Sequence, residues 1–394
     1  MSKEKIEFLN LIKRGTNEII SIKELDEKLS KKDKLIVKFG ADPTAPDIHL
    51  GHSVPFEKLK IFQERGHEIV FIIGDFTAMI GDPSGRSILR TALSKDEVMK
   101  NAETYTKQVF KILDKNKTKI FYNSEWLHKL GTSGILELAS KYTVARMLER
   151  DDFQKRYKSN TPISIIEFLY PLIQGYDSVV LKSDIEIGGN DQKFNLLVGR
   201  ELQKDYGLEP QVILTVPLLE GLDGEKKMSK SYGNYIGISE EPKEIFGKIM
   251  SISDELMIKY YEVLTTENLE KIKKEHPKLA KENLAQKLIT KYYSSEIARN
   301  AREEFNKIFK MKEIPENIEI IEIDKTKSNN SLQELLFDLK LVSSKNEARR
   351  MIEQGAVKIN QEKILDIKTN IEIKDNDIIQ VGKRKFAKIK IKTK

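Results

Sequence analysis

No cysteine occurs in the 394 residues, so neither disulfides nor thiolate metal sites are available to this chain. Histidine is nearly as scarce, with five in all, yet two of them fall within four residues at His49 and His52. No long apolar run interrupts the sequence, which excludes a membrane-spanning helix from the expected fold. The opening Met1-Ser2-Lys3-Glu4-Lys5 leads into a charged, helix-like stretch and does not read as a signal peptide. Internal repeats and low-complexity tracts are also missing. These absences lead us to expect a soluble, cytoplasmic protein without a membrane partner, and the length allows two or three domains that each bury a core.

Positive charge is present in excess, and it is unevenly placed. The formal net charge is +7, and residues 331–394 alone carry fifteen Lys and Arg against nine Asp and Glu. Such asymmetry suggests an appended module that faces a polyanion, although a lysine-rich, solvated tail would have the same composition.

Residues 35–40 read as a buried strand, followed by a turn-rich stretch, a helix from about His52 to Arg65 and a second strand at 68–74. A helical stretch at 192–204 then precedes a strand at 212–216. This alternation predicts an α/β fold with a doubly wound, parallel, Rossmann-like sheet whose ligands bind at the carboxyl ends of the strands. Residues 242–310 show helical periodicity and no strand pattern, and 311–330 read as an irregular, polar connector. The last module has two capping-box patterns, Ser331-Leu332-Gln333-Glu334 and Ser344-Lys345-Asn346-Glu347, each opening a helix. The second helix is expected to stop at Gly355, and the alternating lysines and isoleucines of 388–392 predict a strand with one basic face. The expected domains are therefore 1–236, with a connective segment inserted at about 115–185, then an α-helical domain at 237–325, and a small α+β module at 331–394.

Several patterns carry chemistry. His49-Leu50-Gly51-His52 lies at a helix start, where unpaired N–H groups and the helix dipole favour an anion. Imidazoles there can donate to phosphate oxygens, and Gly51 lets a planar base approach the backbone. Thr44, just upstream, could add a hydroxyl or could simply cap a turn. Lys227-Met228-Ser229-Lys230-Ser231 sits between Gly221, Gly224 and Gly233, a mobile basic loop suited to a pyrophosphate leaving group.

Between residues 161 and 180, Thr161 and Pro162 predict the start of an apolar, buried helix. On it Tyr170, Gln174 and Asp177 share one face, an expensive polar stripe unless something pairs with it. A small polar ligand and an internal hydrogen-bond network are both possible partners. Gly188-Gly189-Asn190-Asp191-Gln192 is a turn that admits close backbone approach, with Asp191 able to accept from ribose hydroxyls. Gly81-Asp82-Pro83-Ser84-Gly85-Arg86 follows the second strand; Asp82 could receive an ammonium group, and Arg86 and Arg90 could reach phosphates.

With these residues in hand, the chain resembles the bacterial tyrosyl-tRNA synthetases, a family of class I aminoacyl-tRNA synthetases, over nearly its whole length. The two signature motifs, His49 to His52 and Lys227 to Ser231, carry the resemblance most specifically. It implies that His49, Gly51 and His52 bind ATP, with Thr44 assisting, that Lys227, Lys230 and Ser231 form the mobile catalytic loop, and that Met228 and Lys230 also contact ATP. By the same resemblance Arg86 and Arg90 add charge, while Gly188, Gly189 and Asp191 wall the adenylate. Gly40, Asp42, Asp82, Tyr170, Gln174, Asp177 and Gln192 would then hold tyrosine, with Asp177 accepting from its hydroxyl. Residues 237–325 would bind the anticodon, and the terminal module resembles an RNA-binding domain of a small-subunit ribosomal protein, with Arg349 and Arg350 on its RNA-facing helix. The partners so implied are tRNA(Tyr), L-tyrosine and ATP, in a homodimer, with Mg2+ carried on the ATP phosphates and no protein metal site.

One position departs from the pattern. In some members a tyrosine two residues before the glycine matching Gly40 gives the ligand hydroxyl a second contact, and here that position is Lys38. Either Asp177 recognises the hydroxyl with other help, or Lys38 contributes differently. Tryptophan is the alternative amino acid within the class. A non-catalytic RNA-binding relative, such as a splicing or regulatory factor, is the alternative outside it, and intact signature motifs speak against that. A small-molecule adenylyltransferase would not require the helical and basic terminal modules.

Overall fold

A computed structural model describes residues 3–44, 48–84, 94–312, 318–324, 331–366, 373–382 and 385–392. The chain divides into two compact units, Met1–Arg302 and Glu303–Lys394.

The first unit is built on a six-stranded sheet formed by β1 (Glu18–Ile20), β2 (Ile36–Ala41), β3 (Glu68–Ile73), β4 (Thr118–Tyr122), β5 (Ile185–Gly189) and β6 (Val212–Val216). The order is β1-β6-β5-β2-β3-β4, and every pairing is parallel except that of β1 with β6. The chain winds outward from β2 through β3 to β4, then returns to the other side of β2 for β5 and β6. That reversal places the topological switch between β2 and β5, where a doubly wound sheet opens a crevice at its carboxyl edge. Val37, Ile69, Val70, Phe71, Ile187 and Leu214 are buried from both faces, as parallel strands covered by helices must be.

Several expectations are refined. The helix after β2 spans Leu50–Glu64, with His49 at its N-cap. A short helix, Asp75–Ile80, intervenes between β3 and the Gly81 turn, which therefore does not follow the strand directly. The segment expected as an insertion from about 115 opens with β4, a strand of the main sheet, so the excursion begins only after Tyr122. The buried helix spans Ile165–Leu181 and is capped by Ser164 in a capping box with Glu167, not by Thr161. Glu167 also receives Arg156, whose Nη2 lies 3.0 Å from Oε1, and that buried ion pair ties the box in place. Gly175 on this helix meets Gly199 on the Lys193–Asp205 helix so closely that a Cβ would lie 3.0 Å from the facing Cα. This packing presses one face of the helix against its neighbour and leaves the polar stripe for the crevice.

Five helices follow: Pro242–Ser251, Asp254–Leu264, Leu269–Lys274, Pro277–Tyr292 and Ser295–Lys312. The Pro277–Tyr292 helix is pinned to the Leu50–Glu64 helix by Glu57–Lys291, at 2.7 Å, and by Tyr292 against Ser53, at 3.3 Å.

The second unit has a sheet of β7 (Glu319–Asp324), β8 (Val357–Ile359), β9 (Glu362–Ile364), β10 (Ile378–Val381) and β11 (Lys385–Lys392) in the order β7-β11-β10-β8-β9. Strand β7 lies in the stretch expected as an irregular connector; its Ile-Glu alternation pairs in parallel with β11. Ser331 and Ser344 cap the Leu332–Asp338 and Lys345–Glu353 helices, and Gly355 follows in a left-handed conformation at φ +64°. Leu335, Leu336, Ile352, Ile379 and Ile389 fill the core beneath. Among the described residues, no helix is long and apolar enough to cross a membrane.

Candidate active site

A cleft of about 420 Å³ opens at the carboxyl edge between β2 and β5. Its walls include Gly40, Asp42, Thr44, His49, Gly51, His52, Asp82, Tyr170, Gln174, Asp177, Gly188, Gly189, Asp191, Gln192, Lys227, Met228, Lys230 and Ser231. Residues from six separate stretches of sequence thus meet at one place. Arg86 and Arg90 lie outside the described residues. Arg349 and Arg350 belong to the second unit, exposed on its Lys345–Glu353 helix.

The two histidines stack with ring centroids 3.8 Å apart. Their loop is sewn to the segment after the lysine loop: His49 bridges Gly237, and the Leu50 amide donates to the Ile236 carbonyl at 2.9 Å. A Cβ on Gly51 would come within 3.0 Å of the His49 ring, so the bare backbone is what lets that ring lie across the helix start. His49 Nδ1 is buried with no hydrogen-bond partner among the described residues, an open valence at a helix N-terminus.

Both imidazoles are held neutral. Burial is the main cause, and the positive charge of Lys230 adds to it, pushing His49 far below its ordinary range and His52 down to about 4. Their folded values lie below the unfolded one, so the associated stability is present above pH ~6.5 and is lost as pH falls towards the folded value. We expect His52→Asn to lose less stability than the parent between pH ~7 and ~4.5, by about 1–2 kcal/mol for this partly buried ring, in thermal denaturation series. Identical slopes for the two proteins would exclude His52 as the titrating group.

The lysine loop is stapled by a residue that the sequence reading missed. Asn234 Oδ1 accepts from the Ser229 amide at 2.9 Å, and its Nδ2 donates to Asp223 Oδ2 at 2.9 Å. Its only sequence signal was its place beside Gly233. Lys227 acts electrostatically on Asp191, whose carboxyl is raised by burial despite that cation.

At the far end of the cleft Tyr170 donates to Asp42 Oδ2 at 2.8 Å, while Thr77 donates to Oδ1 at 2.6 Å. Gln192 donates to Asp82 Oδ2 at 2.7 Å. Asn195, also missed, ties Gln192 to Gln174 through its Nδ2, at 3.1 and 3.0 Å. Its position one turn beyond Gln192, on an otherwise apolar face, was the available signal.

Asp177 closes the pocket. Trp126 Nε1 donates to its Oδ1 at 2.8 Å, and Asn123 Nδ2 lies 3.4 Å from Oδ2. Burial pushes this carboxyl up to about 7, although Lys38 and these donors pull it down. Lys38 itself does not line the cleft; its ammonium is 2.8 Å from Glu186 Oε1. Among the described residues, no group of three or more His, Asp or Glu is placed to hold a metal ion.

Comparison with known proteins places this geometry in a class. The fold matches the crystal structure of an Archaeoglobus fulgidus tyrosyl-tRNA synthetase complexed with L-tyrosine, at TM-score 0.62 and 26% identity, over 75% of this chain and 99% of that one. A C-terminally truncated mitochondrial tyrosyl-tRNA synthetase from Aspergillus nidulans shares the fold at TM-score 0.66 and 21% identity, over 78% and 95% of the two chains. The fold is that of a class I tRNA synthetase.

Residues 30–310 match the family "tRNA synthetases class I (W and Y)", and residues 310–389 match the C-terminal domain of tyrosine–tRNA ligases. Tyrosine–tRNA ligases of Francisella tularensis and Aquifex aeolicus are 57% and 53% identical to the chain, covering 98% and 97% of it and 99% and 98% of themselves. The chain belongs to the tryptophan- and tyrosine-type family of class I tRNA synthetases.

Proposed function

We propose that the chain is a tyrosine–tRNA ligase. The carboxylate of L-tyrosine attacks the α-phosphate of ATP in line, the bond to the β-phosphate breaks, and tyrosyl-adenylate and pyrophosphate result. The terminal ribose hydroxyl of tRNA(Tyr) then attacks the carbonyl carbon, and AMP leaves. One observation carries the reading: the polar stripe of the buried helix and both signature loops face a single cleft.

The attacking carboxylate is already ionised, so the first step requires no general base. Catalysis is positioning plus stabilisation of charge on the leaving pyrophosphate. His49 and His52 donate to phosphate oxygens as neutral imidazoles, and Lys227 and Lys230 supply the cations, with Thr44 and Ser231 adding hydroxyls. Arg86 and Arg90 contribute further charge. Gly51, Gly188, Gly189 and Met228 shape the nucleotide wall, and Asp191 takes the ribose hydroxyls. Gly40 and Asp42 border the amino acid, whose ammonium group is ringed by Asp82, Tyr170 and Gln174, with Gln192 beside them. Asp177 accepts from the phenol. Magnesium enters as the counter-ion of ATP, on the phosphates of the substrate.

The helices between Pro242 and Lys312 take the anticodon arm, the expected bound at 325 being too late because β7 belongs to the terminal sheet, and the terminal module binds RNA through Arg349, Arg350 and the lysine face of β11. Leu136, Val144, Tyr157 and Ile165, all well exposed, lie in the excursion between β4 and β5. They support a homodimer, with a second copy of the chain covering them. The compartment is the cytoplasm, where tRNA and ATP are at hand.

Amino-acid-dependent exchange of pyrophosphate into ATP tests the central claim, with tyrosine, phenylalanine and tryptophan compared. Tyrosine alone should support rapid exchange; exchange with tryptophan only would overturn the substrate, and none with any would favour a non-catalytic RNA-binding role. Cutting the chain after Lys312, ahead of β7, should leave exchange within about twofold and lower tRNA charging at least tenfold, as loss of several cationic phosphate contacts implies. Parallel loss of both activities would show that the terminal unit serves the first step.

A further inference from the structure

We infer that the buried Lys38–Glu186 ion pair, bridged by Ser178, is a positioning element for amino-acid recognition: it holds the helix where Asp177 projects and sets the charge beneath the carboxyl that receives the phenol. The inference rests on Asp177 reading that phenol.

Lys38 and Glu186 sit side by side on β2 and β5, paired in register at the centre of the sheet. They are 1% and 2% exposed, and an ion pair so buried is weak support for a fold that two apolar side chains would hold as well. Its connections point elsewhere. The Lys38 ammonium donates to Ser178 Oγ at 2.6 Å, and Ser178 donates to Glu186 Oε2 at 3.0 Å. Ser178 is the residue after Asp177, so the pair grips the helix at the point where the acid projects. Glu186 lines the cleft and Lys38 lies behind it.

Charged and titratable groups reach Asp177 from each side: Lys38 from β2, Glu186 from β5, and Tyr170 from its own helix. From the Ser124–Ser140 helix and its cap come the neutral donors Trp126 and Asn123. Lys38 favours the ionised acid and Glu186 opposes it, so the two partners pull in opposite directions.

The test is the pH dependence of KM for tyrosine in pyrophosphate exchange, measured from about pH 5.5 to 9 on Lys38→Met, Glu186→Gln and the parent. Lys38→Met should move the acid limb up by about one unit or more, and Glu186→Gln should move it down, with kcat at saturating tyrosine changing less than KM. Glu186→Gln is nearly isosteric, so it decides the matter alone if Lys38→Met does not fold. Limbs that move together, or that stay at the parent's position in folded Glu186→Gln, overturn the inference. Asp177→Asn is run alongside. If its KM for tyrosine matches the parent's, the phenol assignment itself fails; if that KM rises while the other limbs stay put, only the ion-pair inference fails.

Discussion

Replacing Lys230 by alanine is expected to slow tyrosyl-adenylate formation roughly a hundredfold or more, with little change in KM for tyrosine. Loss of one preorganised donor to a developing anion typically costs that much. Lys230 stands at the histidine end of the cleft, close enough to His49 and His52 to depress both. It has no part in the Tyr170–Asp177 stripe, so the defect belongs in kcat. A second signature should accompany it: without that cation, the His52 imidazole titrates at higher pH. Pyrophosphate exchange at saturating substrates measures the first effect, and NMR titration of the histidine ring measures the second. Near-parental exchange by Lys230→Ala would remove the lysine loop from the chemistry.

Asp177→Asn should show the other large effect. The asparagine keeps an oxygen for Trp126 but turns a donor toward the phenol, so a buried hydroxyl loses its acceptor. A cost of about 1–3 kcal/mol corresponds to a fall of about 5- to 150-fold in kcat/KM for tyrosine. Phenylalanine, which cannot satisfy the carboxylate, should gain, so the tyrosine-to-phenylalanine ratio falls further than either value. The same variant should be more stable, and the sign follows from the shift. The folded carboxyl, at about 7, lies above its unfolded value, so the buried acid costs stability progressively as pH rises through that interval, and fully above it. We expect a gain of about 1–3 kcal/mol at pH ~8, in a denaturant melt. Weaker tyrosine use with a gain in stability would distinguish lost recognition from a damaged fold. An unchanged tyrosine-to-phenylalanine ratio would sink the assignment.

Most of the cleft was legible in the sequence because its residues lie in short local patterns. A histidine pair at a helix start, a glycine-flanked lysine loop and a polar stripe on an apolar helix each announce themselves without tertiary information. What was not legible depends on partners distant in the chain. Trp126 and Asn123 matter because they meet Asp177 fifty residues later, and no local pattern marks them. Lys38 reads as an oddity within a strand until Glu186 is seen beside it.

The element boundaries show the same division. Ser164-Ile165-Ile166-Glu167 is itself a capping box, and Thr161-Pro162 competed with it on equal local terms. The Arg156–Glu167 ion pair, a tertiary contact, selects the later start. Strand β7 has only a brief Ile-Glu alternation and becomes a strand by pairing with β11, more than sixty residues away.

That pairing bears on how the terminal unit comes into being. Strand β11 is the last of its sheet to be synthesised, yet it lies inside the sheet, flanked by β7 and β10. While a ribosome is still extending the chain, β7 has already emerged without a neighbour and must wait for residues 385–392 before its parallel ladder can form. The unit therefore cannot assemble progressively from its amino end. Strands β8, β9 and β10 can pair among themselves first, β7 joins only through β11, and a nascent chain arrested shortly before β11 would carry an unpaired strand edge.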